Sequence, residues 1–351
     1  MTAGERLPVD LAAFRSALIV KPSSLGDIVH TLPAVRLLNL AHPQLSIRWI
    51  ANTEWAPLLQ GSPFVDEVIP FPRKTFRGIG GLWRFARWAA GRNRDDRQTP
   101  EIVLDFQGLL RSGIISFARG ADWVVGMSNS REGASKFCDH VVAVDASAHA
   151  VDQNLALIRA LGVSFSAEDV QVPLPDGEPF EFPVQPAAAS ESPHPLPPRF
   201  LLLHPWSRGE GKSLSHSVLQ AFCDALRGIP VIIVGVHPSP PAIAGAHVTD
   251  LTNKTSLAQL LWLMRRSAAC ISVDSGPMHL AAAVNPRALG IHTWSDPRKV
   301  GPYPASAWVW KAGRIAHRGD FNPDECVLTS AVTEADARAM ADFVFRVMLP
   351  A

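Results

Sequence analysis

Two stretches of strand–helix alternation, separated by a proline-rich break, constrain this chain more than any other feature. From residue 16 to about 160, the apolar runs "SALIV", "LSIRWIA", "VDEVIPF", "EIVLDFQG" and "DHVVAVD" alternate with helical patterns, one beginning near Gly26 and another at "DQNLALIRALG". Strands in regular alternation with helices imply βαβ units and a parallel sheet. Nine prolines then crowd residues 171–199, too many for a helix or a central strand. Alternation resumes with "RFLLLHPWS", "PVIIVGV", "ACISVDSG" and "RALGIHTW", interleaved with helical patterns at "SVLQAFCDALRG", "SLAQLLWLMRRS" and "PMHLAAAV". The final "TEADARAMADFVFRVML" opens with a Thr-x-x-Asp cap signal and keeps helical apolar spacing, so a closing helix should pack on one of the domains. The chain is therefore predicted to be α/β, with one parallel-sheet domain over residues 1–170, a linker over 171–199 and a second domain over 200–351.

A length of 351 residues exceeds the usual single core and fits two domains. A net charge of +1 gives no global attraction to nucleic acid or membrane, so any basic surface must be local. Cys138, Cys223, Cys270 and Cys326 lie far apart without paired spacing, which argues against a zinc site or a disulfide framework. The N-terminal stretch lacks a signal-peptide pattern and no apolar run reaches membrane-spanning length, which places the chain in the cytoplasm with the inner membrane surface open to it. Ligands bind where the strands of open parallel sheets end, so the active cleft is expected between the two sheets. A dinucleotide dehydrogenase would need Gly-x-Gly-x-x-Gly after a strand, and no strand here carries it.

Three stretches can carry chemistry. In "KPSSLGDIVHTLPA" a strand turns into a helix, and Asp27 sits where a phosphate would otherwise be welcome. Ser24 and Asp27 either cap the helix or handle a proton. In "CISVDSGPMHLAAA" the small residues Ser275 and Gly276, with Pro277 suited to a first turn, read as a diphosphate cradle after Asp274, to which His279 can add a donor, or else as a capped helix with a buried histidine. In "HPWSRGEGKSLS", Ser207, Arg208 and Lys212 share one loop and suit the negative charge growing on a departing nucleoside diphosphate; a solvated loop is the plainer alternative. The stretch "FPRKTFRGIGGLWRFARWAAGRNRDDR" interleaves Arg73, Lys74, Arg77, Arg84, Arg87, Arg92, Arg94 and Arg97 with Phe76, Trp83, Phe85 and Trp88. It reads as a surface for an anionic amphiphile rather than nucleic acid, for which the chain has no known motif; a merely solvated helix is the plainer alternative.

"KPSSLGDIVHTLPA", "VLDFQGLLRSG", "HAVDQNLALIRALG", the Lys212 loop and "VDSGPMHLAAA", in this order, resemble the ADP-heptose:lipopolysaccharide heptosyltransferases of glycosyltransferase family nine, most closely the heptosyltransferase I branch. The resemblance implies a GT-B fold, two Rossmann-like domains facing each other across a cleft, and an inverting, metal-independent sugar transfer. It assigns Asp27 as general base and Lys212 as the cation that neutralises the leaving diphosphate. The donor, ADP-heptose first, would meet Lys21, Ser24, Gly26, Ser207, Arg208, Asp274, Ser275, Gly276, Pro277, Met278 and His279. An anionic inner-core glycolipid acceptor would meet Arg73, Lys74, Arg77, Gln107, Arg111 and Arg131. No cofactor, metal or nucleic acid is implied. The chain departs from the family pattern where "HPSPPA" replaces a glutamate that contacts the nucleotide, where Leu214 replaces an aromatic, and in "HTWSDPRKVGPY", which keeps Asp296, Pro297, Gly301, Pro302 and Tyr303. The alternatives are a family-nine enzyme using another nucleotide sugar and a non-catalytic binding protein. The joint presence of Asp27 and Lys212 argues against the second.

Overall fold

The computed structural model describes residues 9–91, 101–182 and 196–349. The chain divides into two compact units, Met1–Pro175 and Asp176–Ala351. The division falls inside the proline-rich segment, of which Pro183, Pro186, Pro193 and Pro195 lie outside the described residues.

The first unit contains β1 (Ser16–Val20), α1 (Leu25–Ala41), β2 (Ser46–Asn52), β3 (Glu67–Phe71), α2 (Gly81–Ala89), β4 (Glu101–Asp105), α3 (Leu110–Ala118), β5 (Trp123–Met127), β6 (His140–Val142) and α4 (Ala150–Ala160). Its sheet has the order β3-β2-β1-β4-β5-β6, with every pair parallel. "SALIV" and "EIVLD" are buried along their whole length because they are the two central strands, covered on both faces. Leu18, Val20, Ile50, Phe71, Phe85, Val103 and Ile115 form one core cluster of this unit. The strand order reverses between β1 and β4, so the loops after these two strands diverge and leave a crevice at the carboxyl edge.

The second unit contains β7 (Leu201–His204), α5 (His216–Ala225), β8 (Val231–Ile233), β9 (Val248–Asp250), α6 (Leu257–Arg266), β10 (Ala269–Val273), α7 (Gly276–Val284), β11 (Ala288–His292), α8 (Pro297–Val300), β12 (Trp308–Lys311), β13 (Arg314–His317), α9 (Pro323–Cys326) and α10 (Glu334–Phe343). Its sheet order is β13-β12-β11-β10-β7-β8-β9, in which the first six strands of the unit repeat the winding of the first sheet and the reversal falls between β7 and β10. β13 returns antiparallel to β12 through Ala312 and Gly313, both at positive φ, as a two-residue hairpin requires. The chain joins this unit early. Glu178 N–H donates to Ala258 O on α6 at 3.1 Å, and a Cβ on Gly177 would lie 2.4 Å from that carbonyl. Only glycine, at φ +84°, permits so close an approach. The closing helix is α10: Thr333 and Asp336 exchange capping bonds at its start, and Ala337, Met340 and Ala341 enter the core of the second unit.

Candidate active site

The loop after β1 is fixed from below. Lys21 is 8% exposed and its Nζ donates to Phe106 O at 2.7 Å. Burial lowers its pKa, against the attraction of Asp27 and Asp105. Lys21 therefore holds the β1 and β4 loops together instead of standing free for a ligand. At the helix start, Asp27 Oδ2 accepts from Ser24 N–H at 2.8 Å and from Ser24 Oγ–H at 2.6 Å. Among the described residues Asp27 Oδ1 accepts no hydrogen bond. The sequence offered a cap or a proton acceptor; the geometry lets one carboxylate serve both, one oxygen for each. Gly26 is buried in the same first turn.

Sequence reading passed over Asp105, the last residue of β4. It is 1% exposed, accepts from the N–H groups of Gln107 and Gly108 at 2.9 and 3.0 Å, and takes the Ser112 hydroxyl at 2.8 Å. Burial raises its pKa, against these bonds. The resulting turn presents Gln107, whose Oε1 accepts from Ser23 N–H at 3.4 Å. Gly108 O accepts from Arg131 N–H at 2.7 Å, bringing the loop after β5 alongside. Arg111, on the first turn of α3, lies 6.0 Å from the Phe71 ring at the end of β3. Arg73, Lys74 and Arg77 follow β3 and are exposed, and Lys74 pairs with Glu54 at 2.8 Å. The parallel sheet thus delivers all six expected acceptor residues and Asp27 to one edge. Arg92, Arg94 and Arg97 lie outside the described residues.

At the corresponding reversal in the second unit, Lys212 Nζ meets Asp274 Oδ2 at 2.5 Å. The Ser295 hydroxyl donates to the same carboxylate oxygen, and His292 Nδ1 lies 2.9 Å from Ser295 Oγ. Since Ser295 spends its proton on Asp274, His292 must donate from Nδ1. Burial holds His292 near pKa 4, hence neutral at pH 7. Burial also works to raise Asp274, but the neighbouring His292 first, then the Lys212 ammonium and the Ser295 hydroxyl, outweigh it and hold the carboxyl below its ordinary value. Lys311, 1% exposed, locks this corner by donating to Thr293 O and Ser295 O at 3.3 and 3.1 Å. Trp294 covers Lys212, its ring 4.3 Å from the ammonium, and its indole N–H donates to Glu210 O in the lysine's own loop. Ser207 N–H donates to Ser213 Oγ at 2.9 Å, closing that loop, while Arg208 is exposed.

Ser275 caps α7 with Gly276 and Pro277 in its first turn, and among the described residues the Ser275 and Gly276 N–H groups donate to nothing. His279 is buried. Met278 departs from the expectation of a donor contact: it is 1% exposed and packs toward Gly290, where a Cβ would lie 2.7 Å from its sulfur, so its side chain belongs to the core. The departures have local explanations. Leu214 is a core residue, Asp296 caps α8, and the His237 ring lies tilted against Trp206 at 4.5 Å in the loop without the expected glutamate. Among the described residues no group of three or more His, Cys, Asp or Glu could hold a metal ion, and no helix is long and apolar enough to cross a membrane.

Two parallel-sheet units wound alike, each with its strand-order reversal beside the central strand, have the architecture of the GT-B fold. The model of glycosyltransferase family 9 (heptosyltransferase) matches residues 96–322, and the chain belongs to that family. It is 24% identical over 311 residues to the lipopolysaccharide core heptosyltransferase OpsX of Haemophilus influenzae, covering 85% of this chain and 84% of that one. It is 27% identical to lipopolysaccharide heptosyltransferase 1 of Pseudomonas aeruginosa, covering 82% and 81%. The fold matches that of Escherichia coli heptosyltransferase WaaC with ADP-2-deoxy-2-fluoro heptose, at a TM-score of 0.66 and 21% identity over 94% of this chain and 99% of that one.

Proposed function

We propose that this enzyme transfers heptose from ADP-heptose to an anionic glycolipid, the inner core of lipopolysaccharide, on the cytoplasmic side of the membrane, with inversion and without a metal ion. The observation that carries this reading is the division of charge between the two turns: a carboxylate after β1, one oxygen of which accepts no hydrogen bond among the described residues, and an ammonium beside a helix start after β7. The acceptor hydroxyl attacks the anomeric carbon as Asp27 Oδ1 takes its proton, and the bond to the diphosphate breaks. Lys212 and the Ser275 and Gly276 N–H groups take up the charge that leaves with ADP, with Ser207, Arg208 and His279 beside them. Lys21 and Ser24 position the base. Arg73, Lys74, Arg77, Gln107, Arg111 and Arg131 bind the anionic acceptor.

A second reading, transfer from another nucleotide sugar, is favoured by the loop after β8, where His237 and three prolines stand in place of an acid. Both are tested by incubating the enzyme and a heptose-free lipopolysaccharide acceptor with a panel of nucleotide sugars, with and without chelator, and weighing the product. One added heptose from ADP-heptose alone, unaffected by chelator, is the expected result. Transfer from a different sugar replaces the donor assignment, loss with chelator overturns the metal-free step, and binding without turnover leaves a non-catalytic protein.

A further inference from the structure

We propose that the outer face of α2 and the turn before it form a membrane-docking surface, with Ile79, Leu82 and Trp83 set into the interface of an anionic bilayer and Arg73, Arg77 and Arg87 against its headgroups. The proposal rests on the acceptor being a membrane glycolipid. The inner face of α2 is fully used: Phe85 and Ala89 are buried, and Trp88 meets Phe71 edge-on at 5.0 Å with Arg119 5.2 Å over its ring. The outer side is left apolar. Ile79 is fully exposed, Leu82 is 78% exposed and Trp83 66%. Arg84 donates to the carbonyls of Thr75 and Arg77, both at 2.7 Å, and so ties the Arg73–Phe76 turn to the helix as one rigid surface. Arg87 lies 5.6 Å over Trp83, a charge alongside an apolar ring.

Residues 73–91 carry five cations and no acid in a chain of net charge +1. That charge selects an anionic occupant, and the apolar tip selects one with an apolar interior, which a bilayer has and a nucleic acid lacks. A second copy of this face would bring like charges together. The turn also leaves β3 at the same edge of the parallel sheet as the Asp27 turn leaves β1, so a docked enzyme would present its base on the side where a lipid-anchored acceptor lies.

The test is co-sedimentation of the full chain with phosphatidylcholine vesicles, with and without phosphatidylglycerol and free of glycolipid. Binding should require phosphatidylglycerol and weaken as salt rises. Replacing Ile79, Leu82 and Trp83 together by serine should lower partitioning by about tenfold or more, since the apolar surface that would leave water is removed. Arg73→Glu with Arg77→Glu should abolish the salt dependence. The triple serine variant should still act normally on a water-soluble acceptor fragment without lipid chains. Absence of wild-type binding to phosphatidylglycerol vesicles, or binding unchanged by the triple variant, overturns the proposal. So does loss of activity on the soluble fragment, which would make the tip part of the acceptor site. Vesicle binding by a chain that transfers no sugar would leave the docking surface standing and remove the proposed function.

Discussion

The two units wind six parallel strands in the same order, and each places an aspartate at the end of its fourth strand and a lysine beyond its first, yet the pairs behave oppositely. In the first unit Lys21 and Asp105 are sunk into the loops and bound to backbone and hydroxyl groups, and burial pushes the lysine down and the aspartate up. In the second, Lys212 and Asp274 bind each other, and His292, Lys212 and Ser295 together hold the Asp274 carboxyl below its ordinary value despite burial. Topology fixes where a site can be; burial and pairing decide what it does. The first pair builds a scaffold that presents a different carboxylate, Asp27, while the second holds a partly exposed cation, for which the proposed function gives the leaving diphosphate as partner.

The largest effect that sharpens this contrast is expected from Asp27→Asn. Asparagine keeps an oxygen for the Ser24 bonds and so should leave the melting temperature nearly unchanged, while turnover falls by about 10²–10⁴-fold, the usual loss when a general base is removed. Near-normal turnover in a well-folded variant would reduce Asp27 to a cap. Next comes Lys212→Ala, expected to lower turnover by about 10²–10³-fold, as removal of one charge-stabilising donor does elsewhere. An unaffected rate would return Lys212 to a structural partner of Asp274.

The smallest effect concerns stability in acid. His204 and His292 of the second unit are both held near pKa 4 by burial, below the ordinary 6.5. The unfolded chain therefore takes up protons first as pH falls. Their contribution is complete above pH 6.5 and is lost progressively toward pH 4, by about 3 kcal/mol for each histidine. Thermal melts across that range should show the loss, and His204→Gln should remove about half of the slope. A slope unchanged in that variant would mean that groups outside this buried corner carry the acid sensitivity.

The strands that sit centrally were legible in the sequence because burial on both faces makes them continuous apolar runs, as in "SALIV" and "ACISV". Strands such as β5, the three-residue β9 and the hairpin β12–β13 were passed over. β9 is half exposed, and "WVWK" and "RIAH" follow neither alternation nor a long apolar run. Asp27, Lys212 and the Asp274 turn stood out because they lie in short polar stretches that run from a strand into the first turn of the following helix. Ser295, His292 and Lys311 did not, since their importance lies in bonds to residues far along the chain, such as Ser295 to Asp274 and Lys311 to the Thr293 carbonyl. Asp105 bonds locally, to Gln107, Gly108 and Ser112, but ends an apolar run with nothing in the sequence to mark it as buried. Met278 misled for the same reason: its neighbours are at a helix start, but its side chain turns onto Gly290.

The claim that the first unit moves the proton and the second holds the leaving group is tested most directly by calorimetric titration of ADP into the wild-type, Asp27→Asn and Lys212→Ala enzymes. The account predicts wild-type affinity for Asp27→Asn, despite its lost turnover, and an affinity at least about tenfold weaker for Lys212→Ala, a loss of about 1.4 kcal/mol. Weakened binding in Asp27→Asn with full binding in Lys212→Ala would contradict it.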